Sequence, residues 1–168
     1  MSYFVIIRGP LGIGKSTIAE GLAKKLNAKY VAIDKVLEEN GLDKIPKDAE
    51  CIPVENFIKA DEIILPDLKK KMESGKIVIF DACFYHKEHI EHLIKNLDYP
   101  YYVFTLKAPV EACIERDSKR KKVHGKDAAC AVHWLVSKFD YGQIIDAHNK
   151  TPAQTLKEII SYLPKQGL

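Results

Sequence analysis

Gly9-Pro10-Leu11-Gly12-Ile13-Gly14-Lys15-Ser16-Thr17 carries glycine, four residues, then Gly-Lys-Ser, the spacing of a phosphate cradle. Its glycines let successive backbone N–H groups turn inward around an anion with no Cβ in the way. A helix beginning just behind them aims its positive end at the same point. Lys15 then reaches the β- and γ-phosphates of a nucleoside triphosphate, and the Ser16 hydroxyl is placed to ligate Mg²⁺. Gly9, Leu11, Gly12, Ile13, Gly14, Lys15, Ser16 and Thr17 are the candidate nucleotide-binding residues, and ATP and Mg²⁺ the implied ligands.

Two aspartates extend this chemistry. Asp81 follows the apolar run Ile77-Val78-Ile79-Phe80, where a Mg²⁺-associated carboxylate is expected; the alternative is a turn cap. Ala82 follows it, where hydrolytic ATPases usually carry a water-activating glutamate, and this favours transfer over hydrolysis. Asp34 follows the short apolar run Tyr30–Ile33. A carboxylate there can take the proton of a hydroxyl attacking the γ-phosphorus, or cap a helix starting at Lys35, or both.

Only three of the 26 basic residues are arginine: Arg8, Arg116 and Arg120. Arg116 and Arg120 lie four apart on one helix face and lead into the basic connector 119–126. A mobile segment carrying arginine can close over a triphosphate. The competing readings are a solvated face pairing with Glu115 or Asp117, and a weak nucleic-acid patch. His86, His89 and His92 do not share one ligand face of a helix, which argues against a metal site. Trp134, Phe139 and Tyr141 read as core.

The elements that must position these groups alternate. Strands are expected at about 3–8, 30–33, 77–80, 101–106 and 143–146. Helices are expected at about 15–27, 35–40, 55–74, 86–96, 110–120, 127–138 and 152–163, with Pro66 kinking or splitting the third. Asp127 and Thr151 are the expected caps of the last two. Such alternation means a parallel sheet with helices on both faces, an α/β fold. Ligands of these sheets gather at the carboxyl ends of the strands, the address shared by the Gly9–Ser16 loop, Asp34 and Asp81.

Composition agrees with one domain spanning 1–168, with an apolar content of 46% and a charged content of 29%. No apolar run approaches a membrane span, and the chain enters a strand almost at once, so a cytoplasmic protein without a leader is expected. Cys51, Cys83, Cys113 and Cys130 are widely spaced and read as reduced packing residues. A net charge of +3 is too small to argue for nucleic acid. Oligomeric state leaves no signature.

With these residues in hand, the chain resembles the P-loop kinases of small-molecule and nucleoside-type hydroxyls: shikimate, gluconate, chloramphenicol and polynucleotide 5′-hydroxyl kinases. The resemblance rests on the Gly9–Ser16 loop, Asp34, Asp81 and a strand-helix-lid unit from Tyr102 to Lys126. It implies a three-layer P-loop fold with strand order 2-3-1-4-5, an acceptor lobe at about 34–74 and a lid at about 119–126. It further implies that Arg116 lies against adenine, that Arg120 is a catalytic lid arginine beside Lys15 and Asp34, and that the 146–152 segment, with Pro152, borders the base.

Asn149-Lys150 is followed by Thr151-Pro152 and lacks the aspartate with which signalling GTPases read guanine. No arginine occurs between residues 9 and 115, where nucleoside monophosphate kinases clamp the acceptor phosphate. From Asp34 to Glu62 nine side chains are acidic (34, 38, 39, 43, 48, 50, 55, 61, 62) and four basic (35, 44, 47, 59). Such a field repels an anionic acceptor. The expected reaction is therefore ATP- and Mg²⁺-dependent phosphoryl transfer to a hydroxyl of a small neutral or cationic molecule, with Asp34 as base. The alternatives are a nucleotide or polynucleotide kinase and a nucleotide-binding switch.

Overall fold

Alternation within each central strand sets the layers. Along β1 (Phe4–Arg8), Phe4 and Ile6 face one side of the sheet, and Val5 and Ile7 the other. β3 (Val78–Asp81) repeats this, with Val78 and Phe80 on the first side and Ile79 on the second. A strand apolar on both faces must be covered on both, and helices do this. The computed structural model describes residues 1–165. Five parallel strands run in the order β2-β3-β1-β4-β5, where β2 is Lys29–Ala32, β4 Tyr101–Lys107 and β5 Gln143–Asp146.

On the Phe4 side, the core takes in α3 (Val54–Glu73), through Phe57, Ala60, Leu68 and Met72, and α4 (Lys87–Leu97), through Ile90 and Leu93. On the Val5 side, α1 (Lys15–Leu26) supplies Ile18 and Leu22, and α7 (Pro152–Ser161) supplies Ile159. Thr151 caps α7 with a reciprocal capping box to Gln154, as its sequence indicates. The remaining helices are α2 (Ile33–Glu39), α5 (Val110–Ser118) and α6 (Lys126–Ser137).

Four expectations are corrected. Pro66 neither ends nor splits α3, which passes through it. It lies on the exposed face together with Glu62, so the carbonyl that loses its N–H partner there is open to water. β2 ends at Ala32 and α2 starts at Ile33, so Asp34 sits in the first helical turn and supplies no capping bond. Gly125, not Asp127, occupies the cap position of α6. Trp134 is not core: it is 56% exposed, with the Lys138 ammonium 3.8 Å above its ring. Phe139 and Tyr141 do pack against the core.

Arg8 ends β1 with no exposed surface. Its Nε donates to the Phe84 carbonyl at 3.3 Å, Nη1 to Thr105 Oγ1 at 3.0 Å and the Phe139 carbonyl at 3.2 Å, and Nη2 to the Val136 carbonyl at 3.0 Å. The guanidinium also stacks 4.3 Å from the Phe139 ring centroid. Burial pushes its pKa down to about 10 against the pull of Asp140 and Cys83, which still leaves it charged at neutral pH. One cation thus ties β1, β4, the segment after β3 and the end of α6 together. Replacing Arg8 by alanine strands three main-chain carbonyls and should cost about 3 kcal/mol or more in a denaturant melt, with lysine recovering part of the loss.

Candidate active site

The β1–α1 loop takes the shape its glycines permit. Gly12 and Gly14 have φ of 78° and 96°, and a Cβ on Gly12 would stand 2.2 Å from the Cys113 carbonyl oxygen of α5. Glycine is therefore needed at position 12 both for conformation and for packing. α1 starts at Gly14 with no side-chain cap and no acidic residue in its first turn, leaving its N-terminal dipole uncompensated for an anion. Lys15 is 9% exposed and curls back over the loop, its Nζ donating to the Pro10 carbonyl at 2.9 Å.

Asp81 meets this loop directly. Its Oδ2 accepts from Ser16 Oγ at 2.9 Å and from the Tyr30 hydroxyl at 2.7 Å. A hydroxyl and a carboxylate side by side are hard oxygen donors, and they fit Mg²⁺, which takes one or two protein oxygens and fills its other positions with water and phosphate. Tyr30 went unnoticed in the sequence. It orients Asp81 from behind, while burial and the Asp81 carboxylate push its own pKa upward.

Asp34 opens on a cleft of about 370 Å³ next to the loop. Asp34 is exposed to solvent, although protein atoms crowd around its carboxylate. Burial raises its pKa, Lys15 lowers it, Asp81 raises it, and His124 and His89 lower it. The two sequence-distant aspartates and Lys15 therefore act on one another electrostatically.

The wall of the cleft is apolar and aromatic, with Leu37, Ile52, Phe57, Phe84, Tyr85 and Leu135. Its charges are Asp34, Glu38, Asp43 and Glu50 against Lys122 and His124, with no arginine among them. Phe84 is held at φ 50°, unusual for a phenylalanine, by the Arg8 bond to its carbonyl and by His89 stacked 4.7 Å away. Leu11, expected on the nucleotide side, turns its side chain into this cleft.

Asp61, counted above within the acidic field, does not face the acceptor. It has no exposed surface and binds His89 Nε2 at 3.0 Å and His92 Nδ1 at 2.9 Å, joining α3 to α4. The spacing of these histidines, read only for metal, reflects this clamp. The acidic excess at the cleft rests on Asp34, Glu38, Asp43 and Glu50 instead.

Arg116 bridges two loops, Nη1 to the Ile13 carbonyl at 3.2 Å and Nη2 to the Ala147 carbonyl at 3.1 Å. With Thr17, Lys150 and Pro152 it lines a hollow of about 120 Å³ on the far side of the phosphate loop. Arg120 is exposed, and its side chain has no hydrogen-bond or ion-pair partner among the described residues. Glu115 pairs with Lys119 and Asp117 with the His124 region, so neither acid neutralises the two arginines.

Residues 4–135 match the protein family AAA_33, described as an AAA domain. The chain belongs to this P-loop family. Among individual members' relatives, it is 24% identical to a shikimate kinase of Sulfurihydrogenibium sp., over 96% of this chain and 98% of that one. It is 27% identical to a Pyrococcus furiosus protein provisionally named an adenylate kinase, over 95% of this chain and 83% of that one. A sugar kinase from Janibacter sp. superposes with a TM-score of 0.77 at 16% identity, over 96% and 94% of the two chains. The expected fold and strand order are thus those of the AAA_33 chain itself. No described helix is long and apolar enough to cross a membrane.

If Tyr30 steadies Asp81 for the metal, Tyr30→Phe should raise the Mg²⁺ concentration needed for half-maximal ATP turnover about tenfold. A Mg²⁺ titration at saturating ATP reads this directly.

Proposed function

We propose that this P-loop kinase transfers the γ-phosphate of ATP to a hydroxyl of a small neutral or cationic acceptor held in the Asp34 cleft. The observation that carries the reading is the position of Asp34: a carboxylate facing a substrate-sized cleft and in electrostatic contact with both Lys15 and Asp81. The activity class, an ATP-dependent phosphotransferase, is shared by the shikimate kinases and the sugar kinase to which the chain is similar.

Each part has a task. The loop amides and Lys15 grip the β- and γ-phosphates, and the Arg116 hollow takes the base. Ser16 and Asp81 would hold Mg²⁺, which neutralises phosphate charge when bound. Asp34 accepts the proton of the acceptor hydroxyl as that oxygen bonds to the γ-phosphorus and the β–γ bridging bond breaks to release ADP. Lys15 and Arg120, the latter carried inward by the 119–125 loop, stabilise charge on the transferring group.

Acceptor class follows from charge. Four carboxylates against one lysine and one histidine disfavour an anionic acceptor such as shikimate or a nucleoside monophosphate. Aromatic walls suit the apolar face of a sugar, a nucleoside or an amino alcohol. A screen of labelled γ-phosphate transfer to aminoglycosides, sugars, nucleosides, shikimate, monophosphates and 5′-hydroxyl oligonucleotides tests this. Faster labelling of the anionic compounds than of every uncharged or cationic one refutes it.

Asp34→Asn should lower transfer about 10²–10⁴-fold with ATP affinity kept. In a nucleotide switch, the same substitution would change little. The base works only when ionised, and burial raises its pKa. The acid limb of kcat/KM should therefore lie above the ordinary aspartate value of about 4, with activity rising as pH increases through it. That limb should vanish in the asparagine variant.

A further inference from the structure

The loop between α5 and α6 is closed on one carboxylate. Asp117, in the last turn of α5, is 1% exposed and accepts from the His124 backbone N–H at 3.1 and 3.2 Å, the Gly125 N–H at 2.9 Å and His124 Nδ1 at 3.1 Å. Burial works to raise its pKa, but the hydrogen bonds from Gly125 and His124 hold it below the ordinary aspartate range.

An ionised carboxylate can only accept hydrogen bonds, so the His124 proton sits on Nδ1. Nε2 has no partner among the described residues. The ring lines the same cleft as Asp34, and the two interact electrostatically. The loop is thus built to hold one imidazole by its Nδ1 at the wall of the cleft. A tether meant only to close the loop would need no ring there, because the two backbone N–H groups already do it.

We infer that His124 is a specificity-determining residue, its Nε2 hydrogen bonding to a second hydroxyl of the acceptor, beside the hydroxyl that Asp34 activates. This rests on the kinase reading above. A hydroxyl both donates and accepts and thus pairs with Nε2, so the acceptor carries at least two hydroxyl groups, as a polyol or a nucleoside does.

Asparagine and glutamine separate the two ring nitrogens. His124→Asn keeps a donor at the Nδ1 position for Asp117 and loses Nε2; His124→Gln reaches the Nε2 position with an amide and gives up the anchor. Transfer from γ-labelled ATP is measured with kanamycin, adenosine, glucose and a deproteinised small-molecule cell extract. A fluorescent ATP analogue, titrated into each variant, shows that the nucleotide site is folded. The expected result is a fall of about tenfold or more in kcat/KM for the acceptor in His124→Asn, with the ATP KM within about twofold and a smaller fall in His124→Gln. The reverse order, asparagine at wild-type efficiency and glutamine impaired, makes His124 a loop anchor only and overturns the inference. If Asp34→Asn transfers at the wild-type rate while His124→Asn does not, the base assignment fails and the role of His124 stands. No labelled product from the wild-type protein in any arm overturns both.

Discussion

Parallel register at the carboxyl ends of β1, β2 and β3 is the constraint on which the site depends. Asp81 stands level with Ile7 of β1 and Ala32 of β2, so the carboxyl ends of three strands meet at one height. From that height the chain leaves in three directions: through Arg8 into the phosphate loop, through Ile33 into α2 with Asp34, and through Ala82 towards Phe84. A slip of one residue in β3 would turn Asp81 to the opposite face and part it from Ser16. The fully buried Phe4, Ile6, Val78 and Phe80 make such a slip costly, because they would exchange one core for the other. Hydrophobic alternation in the strands therefore fixes the geometry of a polar site several residues away.

Two charged groups continue this work outside the sheet. Arg8 binds the carbonyl of Phe84, which lines the cleft, and that of Val136, next in sequence to the cleft-lining Leu135. Its burial is tolerable because main-chain and hydroxyl oxygens replace water around the guanidinium. Asp117 does the equivalent for the α5–α6 loop, with hydrogen bonds from two successive amides and a ring. Asp61 joins α3 to α4 behind Phe57 and Phe84. Three ionisable side chains thus set the shape of an aromatic pocket without entering it, leaving the carboxylates of α2 and the following connection to define its charge.

How much of this the sequence discloses depends on whether the signal is local. The phosphate loop is legible because its glycines, lysine and serine are contiguous and each meets a backbone or charge requirement of the loop itself. Strand order could be anticipated only through likeness to known kinases, since period-2 patterning says which residues are buried but not which strand lies beside which. Arg8 was conspicuous as one of three arginines, yet its partners lie 76 to 131 residues away and no spacing rule reaches that far. The same holds for Tyr30 and Asp81, 51 residues apart, and for Asp61 with its histidines. Position along a helix also misled: the acidic count for 34–62 included Asp61, because composition cannot tell a cleft-facing carboxylate from a buried one. Trp134 erred the other way, since aromatic character alone does not say that a neighbouring lysine will cover the ring at the surface.

The division between legible and illegible parts follows the chemistry. Every P-loop phosphotransferase binds the same triphosphate, so the donor half is a short motif demanding particular residues at particular positions. Acceptors differ, and the cleft proposed to read them is assembled here from α2, the connection after it, the segment following β3, the α5–α6 loop and α6, none of which repeats a pattern. The relatives are 24% and 27% identical over nearly the whole of this chain. A relative's acceptor is no evidence of this chain's: the lining of the cleft carries Asp34, Glu38, Asp43 and Glu50 against Lys122 and His124, a balance that weighs against an anionic guest. The charge of the cleft, rather than the names of the relatives, is therefore the stronger guide to what is phosphorylated.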